Sequence, residues 1–292
     1  MLVRCGYHAV PWTAAIGFSG MNSNDILMVE ERSDQRLLNL LASSSKEDKP
    51  SVMILHSARL DELVDLTERY PWVCHFIGQS QIAQDLYFAS QVHMASGRMP
   101  PVSALLSPSS NLHLDVLKRY ESGGEDLKDL ERQAGQIKRF PDFATRVSSA
   151  AHELVANACF DSYQKDSSTI QAYPRTGLID LPKKHWLQLE YGQDQDHFVV
   201  SVTDQAGTLQ KDHVISNLMR CRKKQTNQVL RSPSGSGVGI YSVLDFVSRL
   251  DFVVVPGVMT RVSFVLCINQ SPKSLDGQPK SINFLIGSSN GG

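Results

Sequence analysis

Glu153 and Asn157 stand four residues apart in the stretch Ser149-Ala150-Ala151-His152-Glu153-Leu154-Val155-Ala156-Asn157-Ala158-Cys159-Phe160-Asp161. Ala151, Leu154, Val155 and Ala158 recur at helical spacing, which predicts an amphipathic helix with one buried face. The four-residue spacing places the carboxylate and the carboxamide one turn apart on the same side. A carboxylate so placed can orient or deprotonate a nucleophile, and an amide oxygen is a hard ligand suited to Mg²⁺. Polar pairs at this spacing are common on solvated helices, so the pair gains meaning only from what accompanies it.

Two further stretches accompany it. The apolar run Phe198–Thr203 leads straight into Asp204-Gln205-Ala206-Gly207-Thr208-Leu209. An Asp at a strand end followed by small residues can present a carboxylate to a pocket while the backbone turns closely past a ligand, although a simple turn uses the same residues. After a basic segment (Arg220, Arg222, Lys223, Lys224, Arg231) comes Ser232-Pro233-Ser234-Gly235-Ser236-Gly237-Val238-Gly239-Ile240-Tyr241. Glycines at alternate positions before a helix let backbone amides face a phosphate, where the helix dipole favours negative charge. Neither a dinucleotide fingerprint nor a P-loop fits: the spacing is GxGxG, no strand directly precedes it, and the Lys-Ser/Thr pair is missing.

These groups need a scaffold. Asp25–Glu30, Ser51–Leu55 and Trp72–Ile77 read as short buried strands, separated by helical patterns through Leu37–Leu41 and Ala58–Tyr70, which predicts a small parallel α/β layer. Met94–Asn111 is rich in Ser, Pro and Gly and reads as a linker or ordered loop. Leu112–Tyr120 and Glu125–Phe140 are read as charged helices, then the Glu153 helix over about Phe143–Tyr163, then a polar loop over Gln164–Lys184. From Trp186 the period becomes two: Trp186–Tyr191 and Phe198–Thr203 read as adjacent antiparallel strands joined through Gly192–Asp196. Val238–Leu250 is read as a helix, and Phe252–Val255 and Thr260–Ile268 as strands joined by Pro256-Gly257. Residues 269–292 read as a polar tail with one apolar patch, Ile282–Ile286.

Taken in order, Glu-x-x-x-Asn-Ala on a helix, Asp-x-x-Gly after a strand, a basic loop and GxGxG opening a helix resemble the GHKL ATPase superfamily of gyrase, Hsp90, histidine kinases and MutL. The resemblance covers about Thr145 to Ile268. It implies an α/β fold of the Bergerat type over residues 141–268, a mixed sheet with helices on one face and ATP between them. It also implies roles: Glu153 as general base, Asn157 as Mg²⁺ ligand, Asp204 as acceptor for the adenine amino group. Gly235, Gly237 and Gly239 would cradle phosphate, Thr208–Ser234 would form the lid, and Thr260 would support Asp204 through water. The family's usual Asp-x-Gly-x-Gly box carries Ala206 and Thr208 here, with Gly207 between them. The variant box and the strings His152–Asp161 and Gly237–Tyr241 are most similar to bacterial proteins that couple a receiver-like domain to an anti-sigma-factor-like ATPase domain.

Residues 21–100 accordingly resemble a response-regulator receiver, with Glu30-Glu31 as the acidic pair, but His56 ends the second strand and Gly78-Gln79-Ser80 follows the third without an acceptor Asp. A degenerate receiver-like module is the expectation, followed by linker and helices over 101–140. The resemblance implies an ATP- and Mg²⁺-dependent protein serine/threonine kinase of anti-sigma-factor type acting on a regulatory protein, either an antagonist-like partner or a response regulator. The alternatives are a non-catalytic, partner-sequestering module and a histidine-kinase-like ATPase without its own acceptor. His113 lacks the Glu and Pro that follow a phosphoacceptor histidine, and His152 lies within the nucleotide helix. Whether the chain forms a homodimer is left open.

Composition sets limits. With 292 residues, 41% hydrophobic and 20% charged, the chain has the make-up of a globular protein of one or two domains. A net charge of −1 gives no electrostatic case for sequence-independent nucleic-acid binding. Cys5, Cys74, Cys159, Cys221 and Cys267 are scattered without a CxxC pair, which disfavours a zinc site or disulfide framework and suits a reducing cytoplasm. No apolar run has the length of a membrane span. Residues 1–20 are too weakly apolar for a signal peptide and are expected to be a poorly ordered extension, with Met21 an equally good start.

Overall fold

In the computed structural model, the described residues are 26–31, 38–39, 51–79, 99–107, 110–122, 124–137, 142–160, 178–224, 238–270, 274 and 277–287. Residues 1–20, the Leu37, Leu40 and Leu41 positions, Arg231, Gly235 and Gly237 lie outside them. The strands are β1 (Ile26–Glu30), β2 (Ser51–His56), β3 (His75–Gly78), β4 (Asn111–Leu117), β5 (Arg119–Glu121), β6 (Leu178–Asp180), β7 (Leu187–Gln193), β8 (His197–Asp204), β9 (Arg249–Val255), β10 (Met259–Cys267) and β11 (Ser281–Ile286). The helices are α1 (Leu60–Arg69), α2 (Lys128–Ala134), α3 (Phe143–Phe160), α4 (Lys211–Lys224) and α5 (Val238–Phe246).

Nine of these strands form one mixed sheet in the order β1-β2-β3-β11-β9-β10-β8-β7-β4, and β5 and β6 form a separate antiparallel pair. β1, β2 and β3 are parallel, β3 meets β11 antiparallel, β11 runs parallel to β9, and β9, β10, β8, β7 and β4 follow antiparallel. Alternate residues supply one continuous apolar face: Val29, Ile54, Phe76, Phe284, Phe252, Phe264, Val200 and Leu189 belong to the main core, together with the buried faces of all five helices. The helices therefore lie on one face of the sheet. The architecture is an α/β sandwich, as expected.

Across the other face runs a strap over 99–107, containing a 3₁₀ turn at Val102–Leu105. Val102, Leu105 and Leu106 cover Val199, Val253, Val265 and Leu285. The strap is tied at one end by Arg261, whose guanidinium donates to the Pro100 carbonyl, and at the other by Asp194, which accepts from the Ser107 N–H and hydroxyl at 2.9 and 3.0 Å. The Ser- and Pro-rich stretch is thus ordered by packing.

Four elements differ from the sequence expectation. Leu112–Tyr120 is no helix: β4 and β5 occupy it. Leu112, Leu114 and Val116 alternate with His113 and Asp115, a period of two, and the pairing with β7 fixes it as a strand. The polar tail contains β11, an interior strand between β3 and β9. Its Ile282 and Phe284 join the main core, and Phe284 stacks on Phe252 with centroids 5.0 Å apart. The helix expected over Val238–Leu250 ends at Phe246, and β9 begins at Arg249. Within Gln164–Lys184, β6 pairs with β5.

Burial lowers the pKa of two histidines on the sheet, His56 and His75, and the first gives a titration with a predictable effect. His56, at the end of β2, is 1% exposed and its Nδ1 accepts the Ala58 N–H at 3.2 Å. Burial lowers its pKa from 6.5 to about 4. The unfolded chain takes up this proton first, so the contribution of neutral His56 is complete above about pH 6.5 and is lost as pH falls toward 4. The full loss is about 3 kcal/mol. Urea titrations between pH 4 and 7 will show stability rising with pH, and His56→Gln will remove part of that rise, the remainder belonging to His75, which burial also lowers to about 4; an unchanged slope in the variant assigns the whole rise away from His56.

Candidate functional site

α3 positions two of the candidate side chains. Ala-rich and free of Gly and Pro, it spans 18 residues and buries Val147, Ala150, Ala151, Leu154, Val155 and Ala158. Burying a Val or Leu side chain contributes about 1.5–3 kcal/mol, which holds the helix on the sheet. Its start meets the start of β8, where the Phe143 and Phe198 rings pack edge-on at 6.0 Å. Its last turn lies toward the end of β8: the Cys159 thiol is pushed up to about 12 by burial first, then by the carboxylates of Asp126 and Asp204. The helix thus runs along β8. Glu153 and Asn157, both half-buried, fall in its second half.

Glu153 meets α5. A Cβ built on Gly239, in the first turn of α5, would lie 1.9 Å from Glu153 Oε2. The absence of a side chain at 239 is what admits the carboxylate there. This contact brings together the first and third sequence groups, whose spacing along the chain gives no hint of it.

Asp204 ends β8 on the helix side of the sheet, in alternation with Val200 and Val202, and is 4% exposed. Its Oδ1 accepts the N–H groups of Ala206 (2.8 Å) and Gly207 (3.4 Å), so the turn that follows orients the carboxylate. Gly207 has φ of +59°, and its carbonyl accepts the Gly257 N–H at 3.1 Å. A Cβ at 207 would lie 2.2 Å from the Val255 carbonyl oxygen, so the β9–β10 turn can close only over a glycine. Thr260, on β10, is the register partner of Asp204. It is 3% exposed, and its Oγ1 is buried without a hydrogen-bond partner in this structure.

Asp204, Gly207 and Thr260 therefore form one cluster, and Glu153 with Gly239 another, with α3 linking them. Asn157 lies one turn beyond Glu153. Among the described residues no three His, Cys, Asp or Glu side chains gather as a metal site. The donor set fits a nucleotide: a buried carboxylate beside an unpartnered hydroxyl suits a polar heterocycle edge, and a carboxylate beside a helix first turn suits a reaction centre next to phosphate. Of the two histidines, His152 packs its ring against Tyr120 (5.5 Å), and His113 stacks on Tyr191 (5.4 Å) from strand β4.

Sequence reasoning missed the residues that hold α4 and α5. The Tyr241 hydroxyl, two residues beyond Gly239, donates to Asp61 Oδ1 of α1 at 2.8 Å. Lys211, opening α4, donates to the carbonyls of Pro71 (2.6 Å) and Val73, and burial lowers its pKa. Arg222, counted above in the basic segment, is paired with Asp65 of α1. These partners are far apart in sequence and leave no local signal.

The two glycines separate two kinds of constraint. Gly207→Ala meets backbone on three sides and adopts a left-handed conformation that costs a non-glycine residue about 1–2 kcal/mol before any clash. Its expected loss in urea denaturation is more than about 2 kcal/mol. Gly239→Ala meets only the end of a flexible side chain and gains up to about 1 kcal/mol of helix propensity. Its stability should stay within about 1 kcal/mol of wild type while the Glu153 carboxylate is displaced; an equal loss in both variants would show that Glu153 cannot move. Comparisons with protein-family models and with curated proteins found no match for the chain.

Proposed function

We propose that the chain is an ATP- and Mg²⁺-binding regulatory protein of the GHKL superfamily, with a Bergerat-type site, acting as a serine/threonine kinase of anti-sigma-factor type on a partner protein. The observation that carries the reading is the Glu153 carboxylate seated on Gly239 of α5, on the same sheet face as the buried Asp204–Thr260 pair. Three sequence groups with no local reason to meet lie around one helix, α3.

In this reading Asp204, held by the amides of Ala206 and Gly207, accepts a hydrogen bond from the adenine amino group, and the Thr260 hydroxyl supports that edge. Asn157 would hold Mg²⁺ through its amide oxygen. ATP would supply the phosphoryl group. Glu153 would orient the hydroxyl of a partner Ser or Thr and take its proton. Positioning and charge stabilisation dominate such chemistry, so the placement of Glu153 beside the first turn of α5 matters more than any unusual reactivity.

The N-terminal strands enter the proposal as a docking unit. β2 lies between β1 and β3, whereas flavodoxin-like sheets, receivers included, place the first strand in that position. Their helix α1 contacts both α4 and α5 through Asp65–Arg222 and Asp61–Tyr241. A second reading, in which the chain binds nucleotide and sequesters its partner without transfer, rests on Ala206 and Thr208 in the first box and on the missing acceptor Asp after the third strand.

Calorimetry with ATP and Mg²⁺, followed by transfer assays with labelled ATP, tests both readings. Glu153→Gln should retain ATP binding and lose transfer by at least about 100-fold, the range of general-base catalysis. Asn157→Ala should lose the Mg²⁺-dependent part of binding. Binding without any Glu153-dependent transfer or hydrolysis selects sequestration, and absence of ATP affinity sinks both.

A further inference from the structure

We infer that β4 is a dimerisation strand, pairing antiparallel with β4 of a second copy about a two-fold axis at Leu114. β4 is the last strand of the nine-stranded sheet, paired with β7 along all seven of its residues in regular register. Among the described residues no strand pairs with its outer side. Leu114 is 59% and Val116 47% exposed, and His113 and Asp115 are exposed as well.

An exposed edge of this length is a template for another strand. Edge strands are usually guarded by Lys, Pro, a bulge or shortness. Asn111-Leu112-His113-Leu114-Asp115-Val116-Leu117 has no Lys, Pro or bulge and carries one charge, Asp115, which antiparallel self-pairing sets opposite His113. An edge so unguarded, with two apolar side chains in water, fits a strand that is covered in the working protein.

The sequence of β4 identifies the occupant. When two copies pair antiparallel about Leu114, Leu114 meets Leu114 of the second copy, and Leu112 meets Val116. On the opposite face His113 meets Asp115, twice by symmetry. One face gains three apolar contacts, and the other gains two imidazole–carboxylate pairs, the kinds of cross-strand pairs that stabilise sheets. A slip of one residue sets Leu against His and Asp and loses both sets. Parallel, in-register pairing sets Asp against Asp. Self-complementarity of this kind is what a two-fold interface requires, because the same patch must serve both sides.

The polar pair is already oriented in one copy. The His113 ring stacks on Tyr191, and the Tyr191 hydroxyl donates to Asp115 Oδ2 at 3.2 Å. Both side chains are therefore fixed on the helix side of the sheet before a second copy arrives, which lowers the ordering cost of association. A two-fold axis perpendicular to the sheet keeps both helix layers on one side. The dimer is one continuous sheet whose two candidate sites face the same way. A strand-only contact is at the small end of protein interfaces, so the dimer should dissociate on dilution.

Light scattering on the full chain eluting from a sizing column, over a hundredfold concentration range, tests the pairing. Wild type should be dimeric at the upper end. Leu114→Lys, a change at an exposed position that sets two ammonium groups against each other at the axis, should be monomeric with an unchanged thermal transition. His113→Asp should weaken the dimer at least tenfold, and His113→Asp with Asp115→His should restore it, because the complementarity is swapped rather than lost. Register is read by cross-linking: paired residues sit with Cα atoms about 4.5–5.5 Å apart, within disulfide reach. Under oxidation Leu114→Cys should therefore give a covalent dimer above the wild-type background, and Val116→Cys should not. A wild-type chain that is monomeric throughout, or a dimer indifferent to Leu114→Lys, overturns the inference. Cross-linking at 116 and not at 114 also overturns it.

Discussion

β11 is the strand on which the whole sheet depends. It is hydrogen-bonded on both edges, to β3 and to β9, and among the described strands it is the one that joins the three N-terminal strands to the rest of the sheet. Its backbone pairing is reinforced by a buried polar chain on the strap side. Asp251 Oδ1 accepts from Arg249 Nε (2.8 Å) and from Asn283 Nδ2 (2.7 Å), and Asn283 Oδ1 lies 3.0 Å from His75 Nδ1. His75 is held neutral, with its pKa lowered by burial to about 4, so its Nδ1–H donates to Asn283. Arg249 and Asp251 are each 1% exposed. Such a pair adds little net stability over an apolar pair of the same shape, yet removing one partner leaves an uncompensated buried charge and costs about 3–5 kcal/mol. Its contribution here is register. Shifting β11 by one residue would send Asn283 to the apolar face and break the contacts with both Asp251 and His75.

With that seam fixed, the candidate site is placed by the two layers it joins. The sheet side sets Asp204 opposite Thr260 and closes the β9–β10 turn on Gly207. The helix side sets Glu153 on Gly239. α1 belongs to the N-terminal strands, but it grips α5 through Asp61–Tyr241 and α4 through Asp65–Arg222. The first turn of α5 therefore rests on contacts from three parts of the chain. α1 thus contacts the helix whose first turn carries Gly239.

Legibility in the sequence followed the range of the interactions. α3, β7, β8 and β10 could be read because periodicity is local, and their apolar faces point where the period says. The pairing of Glu153 with Asn157 follows from helix geometry alone. β11 was read as a patch in a polar tail because six residues flanked by Pro, Gly and Ser carry no sign of the strands that receive them. β4 was read as a helix because Leu112, Val116 and Leu117 also satisfy helical spacing, and only its partner β7 decides between the two periods. The Glu153–Gly239 and Asp61–Tyr241 contacts join distant segments, and no local pattern encodes them.

The cost carried at Asp204 and Thr260 bears on what the site is for. A buried hydroxyl without a partner costs about 1–3 kcal/mol relative to a satisfied one. Asp204 Oδ1 is already engaged by the amides of Ala206 and Gly207, and the Gly207 turn is locked against Val255 and Gly257. A valine at 260 would keep the shape of the threonine and remove the orphaned oxygen, so packing alone gives no reason for the hydroxyl. In the nucleotide reading proposed above, an adenine edge bonded to Asp204 would engage it.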